Sequence, residues 1–251
     1  MARADEPTEV NRRGQLLGVA FLLVAVLFAV LLGTGAFSGS DPAEDASVVD
    51  GVRGTEETTV LLRGVPQEGI TLGRSEAPVT IVEFVDLKCP ACRTFTLKEG
   101  PAIVQDLVRS GRAKVELRVL ALESFRPDTL VGRTAVHALA EQGKAWNMAE
   151  LLYYNQGPES EAWLTPALLR KIAGASPELR GAPVVVRPTP ATTRMGAEAE
   201  ALADELEVTG TPSIFVRPSG RTDKGAFERV DLRGTGSDAG KVASAVSDLS
   251  R

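Results

Sequence analysis

A strongly apolar segment that runs into two cysteines constrains this chain more than any other feature. Residues 79–85 read VTIVEFV, a short, β-branched and almost wholly apolar run that predicts a central strand covered on both faces. Soon after it comes Cys89-Pro90-Ala91-Cys92, which opens a segment of helical periodicity. Pro90 suits the first helical position, where its missing N–H costs nothing. The sequence therefore predicts a strand, a short loop and a helix that begins at the two cysteines.

This placement favours redox chemistry at the two cysteines. Residues three apart at the start of a helix lie on one face, so the two sulfurs can join without a large backbone movement. Unpaired backbone N–H groups and the positive end of the helix dipole lie at the first cysteine, where they favour its thiolate. Because the thiolate is the nucleophile in disulfide exchange, we expect Cys89 to react with substrate and Cys92, more deeply buried, to resolve.

Two other interpretations of the cysteines remain open. The chain holds two cysteines in all, so neither belongs to a structural disulfide framework. A structural zinc site needs four ligands, and the single histidine, His137, is the only further candidate. Two inert cysteines in a packed core are the second alternative. On the redox interpretation we expect no metal and no cofactor.

The N-terminal region predicts a membrane anchor. Residues 14–40 carry no charge, and the apolar stretch 16–37 would span about 33 Å as a helix, enough to cross a bilayer. Arg12 and Arg13 precede this stretch and acidic residues follow it, so the C-terminal bulk should face outward. A cleaved signal peptide is the alternative, although its apolar core is usually shorter.

These features divide the chain into three regions. Residues 1–37 are predicted as a cytoplasmic stub and transmembrane signal-anchor. Residues 38–63, dominated by Gly, Ser, Asp and Glu, are predicted as a flexible linker that includes a short strand at 58–62. Residues 64–251 should form one domain, for which a hydrophobic content of 43% is sufficient. A net charge of −5 and the absence of a basic block argue against nucleic acid as a partner.

Beyond the cysteines the pattern predicts an α/β domain. Further strands are expected at 114–120, 213–216 and 228–233, with a helical block between the first two and a closing helix at the C-terminus. The first two strands of the domain need a crossover, so they should be parallel, whereas the last two are close enough for a hairpin. We therefore expect a mixed sheet flanked by helices.

Residues 79–95, VTIVEFVDLKCPACRTF, resemble the active-site segment of the DsbA-like branch of the thioredoxin superfamily. The lead-in at 64–78 and the helical run at 143–156 resemble the same branch, and Thr211-Pro212 resembles the cis-proline element of the superfamily. The resemblance implies a thioredoxin-like fold over the whole domain, with a helical insertion at about 122–207.

The resemblance also implies roles for individual residues. Pro212 would be cis and face the cysteine pair, and Thr211 would offer backbone groups to an extended substrate segment, in the manner of an added strand. Pro90 and Ala91 would contact substrate, and they would tune the redox potential. Ala91 departs from the histidine that strongly oxidising members often carry at this position.

Glu83 is an acidic residue inside the apolar strand, where a carboxylate is costly unless it is paired or protonated. In the DsbA-like family a buried acid six residues before the first cysteine helps to move the proton of the buried cysteine, and Glu83 occupies that position. The alternative is a glutamate at a sheet edge that reaches water or pairs with Lys88 or Arg118. Lys88 itself is expected to be a solvated loop charge, although it could favour the Cys89 thiolate.

The resemblance finally implies an extracytoplasmic thiol oxidase. Its Cys89–Cys92 disulfide would accept electrons from free cysteines of secreted or membrane proteins. A membrane partner of the DsbB or VKOR type would then reoxidise it. A reductase or isomerase on the same scaffold is one alternative, and a non-catalytic binding module is another.

Overall fold

The computed structural model of the protein describes residues 41–251, and a six-stranded mixed sheet organises this part of the chain. The strands are β1 (Val48–Val49), β2 (Val52–Arg53), β3 (Gln67–Glu68), β4 (Thr71–Leu72), β5 (Val79–Val85), β6 (Ala113–Val119), β7 (Ser213–Pro218) and β8 (Glu228–Arg229). The order in the sheet is β3-β4-β6-β5-β7-β8, and β1 and β2 form a separate two-stranded ribbon. Only the β5–β6 pair is parallel among the strand pairs of residues 41–251.

Helices cover both faces of the sheet. They are α1 (Thr55–Leu62), α2 (Pro90–Lys98), α3 (Gly100–Ile103), α4 (Asp128–Ala140), α5 (Ala145–Tyr154), α6 (Pro166–Ala175), α7 (Pro190–Glu205) and α8 (Asp238–Leu249). The four helices α4–α7 lie between β6 and β7 in the sequence, so the helical insertion is present. The mixed thioredoxin-like sheet, the parallel first pair and the terminal hairpin of β7 and β8 confirm the predicted α/β fold class.

Strand β5 occupies the centre of the sheet, and all seven of its residues are buried. Ile81 packs into the larger core, whereas Val82 and Phe84 point to the opposite face and pack with residues of α7 and β7. The register pairs Glu83 with Leu117 of β6 and with Ile214 of β7. This double coverage explains why the strand reads as a continuous apolar run.

Prolines mark several helix boundaries. Pro90 begins α2, and Pro166 begins α6 behind the Thr165 cap, whose hydroxyl accepts a hydrogen bond from Leu168 N–H. Pro101 stands in the first turn of α3, so the helix that starts at the cysteines is interrupted after Lys98. The chain then continues as a π-helical turn over Val104–Val108.

The flexible linker predicted for 38–63 is wrong over its described part. Residues 48–62 form β1, β2 and α1, and the short strand expected at 58–62 is a helix. Arg53 N–H donates to Asn155 Oδ1 at 2.9 Å, and Asn155 Nδ2 donates to Arg53 O at 3.0 Å. The polar composition suggested solvent exposure, yet Val52 and Leu62 are buried in the core. Packing of β2 and α1 against α5, together with these hydrogen bonds, holds the segment in place.

The predicted transmembrane segment at 1–37 lies outside the described residues. None of the helices in residues 41–251 has the length and apolar character that a bilayer crossing requires.

Gly54 offers a test of how firmly the 41–63 segment is attached. It has a φ of +79°, and a Cβ at this position would collide with the ring of Tyr154 in α5. We expect Gly54→Ala to lower the free energy of unfolding by roughly 2–4 kcal/mol, because left-handed strain and overpacking add. Urea denaturation of the reduced protein, followed by circular dichroism, measures the change.

Gly64→Ala is the matched control. Gly64 has a φ of +72° but open space around its Cβ position, so only the backbone cost of about 1 kcal/mol applies. Equal losses in the two variants would contradict packing of this segment against Tyr154.

Candidate active site

Cys89 and Cys92 lie where β5 gives way to α2. Cys89 is the N-cap residue of α2, and its sulfur accepts a hydrogen bond from Cys92 N–H at 3.4 Å. Both cysteines are free thiols. Cys89 is 7% exposed, whereas Cys92 is completely buried one turn inside the helix. The predicted geometry of the pair, with an outer and an inner sulfur, is present.

Hydrogen bonds lower the pKa of the Cys89 thiol to about 6. The largest contribution is a hydrogen bond from the Cys92 thiol, which outweighs the opposing effect of burial. The Thr211 side chain and the backbone N–H groups of Cys92 and Ala91 lower the pKa further. A substantial fraction of Cys89 is therefore thiolate at neutral pH, the form that attacks and leaves in disulfide exchange.

Cys92 is shifted in the opposite direction. Burial raises its pKa well above the ordinary value, and the hydrogen bond and charge of Cys89 raise it further. Cys92 therefore holds its proton while Cys89 is ionised. The two thiols of one helical turn therefore differ strongly in acidity.

The Thr211–Pro212 peptide bond is cis, as the resemblance implied, and it lies beside the outer cysteine. The Cys89 thiol donates to Thr211 O at 3.3 Å. Within residues 41–251 the buried Thr211 Oγ1 has no hydrogen-bond partner in this protonated state. That hydroxyl is free to donate to the sulfur once Cys89 ionises. The sequence analysis predicted only a backbone role for Thr211, toward substrate, and did not predict this side-chain role.

The structure brings the other predicted contact residues to the same surface. Pro90 and Ala91 are exposed, and Thr211 and Pro212 are half-buried next to Cys89. Of these four residues, Thr211 and Ala91 interact with the outer sulfur by hydrogen bonds, and Pro90 and Pro212 are their neighbours in the sequence.

Glu83 does not join that surface group, because it lies deep in β5. It is 7% exposed, and burial raises its pKa to about 7. The alternative partners are engaged elsewhere: Arg118 pairs with Glu116 at 2.9 Å and Lys88 with Asp128 at 2.9 Å. Glu83 is therefore a buried acid of a central strand, not a paired or solvated glutamate at a sheet edge.

The expectation that Lys88 is a solvated loop charge is wrong. Its side chain is 5% exposed, and Nζ donates to Asp128 Oδ1 and to Glu161 O, both at 2.9 Å. A buried ammonium requires such partners because desolvation of an unpaired charge is very costly. The helical insertion supplies both of them, so Lys88 ties the loop before Cys89 to the insertion.

Asp86 is a site residue that sequence reasoning missed. Its carboxylate accepts hydrogen bonds from Lys88 N–H at 2.8 Å, Leu122 N–H at 2.9 Å and Thr129 Oγ1 at 2.9 Å. Burial raises its pKa, against the opposing effect of these bonds. A charged residue directly after a buried strand and before the cysteines was the available signal. Asp86 fixes the turn that delivers Cys89 to the start of α2.

Helix α5 holds the same loop from the other side. Tyr153 OH donates to Asp86 O at 3.2 Å, and Gln156 Nε2, just after the helix, donates to Leu87 O at 2.8 Å and Cys89 O at 3.2 Å. Tyr153 is 1% exposed, so its ring belongs to the core. Because the insertion binds the backbone of the loop at several points, the position of Cys89 depends on the insertion.

The chain is similar in sequence to proteins of known family. The family model described as Thioredoxin matches residues 66–230, about two thirds of the chain. The chain belongs to this thioredoxin family. Among curated relatives, it is 36% identical over 104 residues to a probable disulfide bond formation protein D of Bacillus cereus, covering 41% of this chain and 47% of the relative. The match thus spans about half the length of that relative.

One further curated relative and one solved structure are also similar to the chain. Disulfide bond formation protein D of Bacillus subtilis is 27% identical over 156 residues, covering 58% of this chain and 66% of the relative. The crystal structure of oxidised BdbD from Bacillus subtilis superposes with a TM-score of 0.55 at 20% identity, covering 74% of this chain and 96% of that one. At this identity the superposition shows a shared fold.

The pKa of Cys89 gives a direct test of the site. Alkylation of the reduced protein by iodoacetamide should reach half of its plateau rate near pH 6, because only the thiolate reacts. In Cys92→Ala the midpoint should rise toward that of an ordinary thiol, because the hydrogen bond that contributes most is lost. Mass spectrometry of quenched samples at a series of pH values gives the rates.

Cys92→Ser is the matched control. Its hydroxyl can still donate to the Cys89 sulfur, so the midpoint should rise less than in Cys92→Ala. A wild-type midpoint at the ordinary thiol value would contradict the site geometry.

Proposed function

We propose that the protein is an extracytoplasmic thiol–disulfide oxidoreductase that oxidises cysteine pairs of secreted or membrane proteins through Cys89 and Cys92. The observation that carries this proposal is the opposite perturbation of the two thiols at the start of α2, one ionised near neutral pH and the other strongly protonated. Two thiols with opposite pKa shifts in one helical turn are typical of a site for thiol–disulfide exchange and are not needed for a structural role.

The reaction transfers two electrons from a substrate dithiol to the cysteine pair. A substrate thiolate attacks Cys89 Sγ of the Cys89–Cys92 disulfide, a mixed disulfide forms, and Cys92 leaves as a thiolate that takes up a proton. A second substrate thiolate then attacks the substrate sulfur of the mixed disulfide and releases the Cys89 thiolate. The substrate leaves with a new disulfide, and the enzyme is left reduced.

The thiolate of Cys89 favours oxidation of substrates over their reduction. A stabilised thiolate is a good leaving group, and it stabilises the reduced form of the enzyme, which makes the disulfide a stronger oxidant. The lowered pKa of Cys89 therefore supports an oxidase over a reductase or isomerase.

The surface around Cys89 suits an extended peptide. Thr211 and Pro212 precede β7 at the edge of the site, and their backbone can pair with a substrate segment as a short added strand. Pro90 and Ala91 form the opposite, exposed side of the contact. Neither side carries a charge, so we expect recognition of backbone and of the cysteine itself more than of particular side chains.

Turnover requires an oxidant for the reduced pair. We propose that residues 1–37 anchor the domain outside the cytoplasm, close to a membrane reoxidase of the DsbB or VKOR type. The names of the curated relatives, disulfide bond formation protein D, support action on disulfides. The charge distribution around the apolar stretch at 16–37 supports the orientation.

We propose that Glu83 exchanges a proton with the Cys92 sulfur. A buried thiolate at Cys92 is unfavourable, so the bond to Cys89 breaks more readily if a proton is delivered at the same time. A carboxyl with a pKa of about 7 can give this proton and, during reoxidation, take it back.

Cys92→Ala should trap substrates. In this variant the Cys89 thiolate can attack a disulfide of an oxidised substrate, which is the reverse of the last step and releases one substrate thiolate. Without Cys92 the enzyme cannot displace the bound substrate sulfur, so adducts with cysteine-containing extracytoplasmic proteins should accumulate and disappear on reduction. Non-reducing electrophoresis followed by mass spectrometry identifies them. Cys89→Ala is the control and should form none.

The redox potential of the pair decides the direction of electron flow. A value nearer the roughly −120 mV of DsbA than the roughly −270 mV of thioredoxin supports the oxidase. If Cys92→Ala yields no adducts and the wild type neither oxidises nor reduces a thiol-rich protein, the chain is a binding module and the proposed enzyme is wrong.

Glu83→Gln should slow exchange with a thiol-rich protein by about tenfold or more, with little change in binding, because only proton transfer is affected. Stopped-flow kinetics gives the rate, and adduct yield in the Cys92→Ala background gives the binding. Glu116→Gln, which neutralises a half-buried, ion-paired carboxylate elsewhere in the sheet, is the control. An unchanged rate in Glu83→Gln would exclude Glu83 from the mechanism.

A further inference from the structure

Glu83 shares a small internal cavity with a second acid, Glu150 of α5. The cavity has a volume of about 20 Å³, enough for about one water molecule. Apart from the two glutamates its walls are mainly apolar and include Phe95, Ile103 and Trp146. The two glutamates therefore border the same water-sized space beneath α2, the helix that begins at the cysteines.

Glu150 has no role in the site described above, and its environment is unusual for an acid. It is 3% exposed, and neither its carboxyl group nor that of Glu83 is stabilised by a hydrogen bond or an ion pair within residues 41–251. A buried ionisable group without a partner is costly, so it is retained only where its neutral form is stable or its ionisation is used. A proton can pass between the two carboxyl groups through this cavity.

We propose that Glu150 is a positioning residue that shares a proton with Glu83 across this cavity and keeps that proton available for Cys92. The inference rests on the proposed proton role of Glu83 and names the group that supports it. Two carboxyl groups in one apolar space cannot both ionise readily, because the second charge is repelled by the first.

The charges around the pair support this sharing. Burial raises the pKa of Glu150 to about 8, and the charge of Glu83 contributes to the shift. Among the described residues, the cavity walls include no lysine, arginine or histidine that could neutralise a carboxylate. The titratable neighbours on α5 are Tyr153 and Tyr154, whose pKa values are both raised by burial, so they stay neutral.

Helix α5 carries Glu150 on the same face as a residue that contacts the active-site loop. Glu150 and Tyr153 are three residues apart and lie on one face of the helix. Tyr153 OH bonds to the loop before Cys89, and the charges of both Cys92 and Glu83 raise the pKa of Tyr153. The same face of α5 therefore contacts the cysteine loop and the proton-sharing pair.

The proton balance of the step is simple. When Cys92 leaves the disulfide as a thiolate, Glu83 gives it one proton, and Glu150 replaces that proton through the cavity. The Glu150 carboxylate later regains its proton from solvent. The pair thus retains a proton between about pH 7, where Glu83 alone would lose it, and about pH 8.

The test compares Glu150→Gln with the wild type across pH, using the reduced full-length protein for titration and the oxidised form for exchange. The ratio of exchange rates, variant over wild type, should be near one at about pH 6 and should fall severalfold by about pH 8. Glu150→Asp should restore part of the loss. A purely structural role would lower the ratio equally at every pH, and that result would overturn the proposal.

A second measurement does not depend on activity. Carbon-13 NMR of protein labelled at glutamate side-chain carboxyls should show two groups that titrate above the usual range, assigned by their absence in Glu83→Gln and Glu150→Gln. In Glu83→Gln the midpoint of Glu150 should move down, because the like charge is gone. Glu56→Gln, an exposed carboxyl outside the cavity, should leave both midpoints unchanged.

The two proposals fail separately. If the midpoint of Glu150 does not respond to Glu83→Gln, the shared proton is wrong even if the enzyme is active. If the midpoints are coupled but the wild type exchanges no disulfides, the proposed function is wrong and the pair has no reaction to serve.

Discussion

Strand β5 is buried on both faces, and the loop that follows it is buried as well. Asp86, Leu87 and Lys88 are 0%, 0% and 4% exposed, so two charged side chains enter the interior immediately before the cysteines. Buried charges are tolerated only with well-placed partners, and these are backbone N–H groups, Thr129 and Asp128. Satisfying Asp86 and Lys88 leaves the loop little freedom, and this constraint places Cys89 at the first turn of α2.

The site depends on the difference in pKa between two thiols that lie in one helical turn. The outer thiol accepts several hydrogen bonds, which stabilise its charge more than partial burial destabilises it. The inner thiol lies in the core, where burial favours the protonated form. Depth below the surface thus separates the two groups, and the peptide at Thr211 completes the environment of the outer one.

The helical insertion takes part in the site as well as enlarging the core. Asp128 from α4 and Tyr153 from α5 hold the loop that precedes the cysteines, and Gln156 binds the carbonyl of Cys89 itself. The same helix α5 brings Glu150 to the cavity of Glu83. Changes in the packing of the insertion would therefore shift the loop that positions Cys89.

The sequence by itself determined the elements near the cysteines. A continuous apolar run specified β5, the spacing of Cys89 and Cys92 with Pro90 specified a helix start, and Glu83 stood out as an acid inside a strand. These signals are local, because periodicity and helix capping depend on residues a few positions apart. The resemblance to DsbA-like proteins added the cis peptide at Pro212, which spacing alone would not have indicated.

Only the tertiary structure decided which charges are buried and what they contact. Lys88 was expected in solvent and instead pairs with Asp128, and the 41–63 segment was expected to be flexible and instead packs on α5. No local pattern in the sequence of α5 indicated that Glu150 is close to Glu83. Each of these outcomes depends on contacts between residues tens of positions apart in the sequence, and a local pattern carries no information about such contacts.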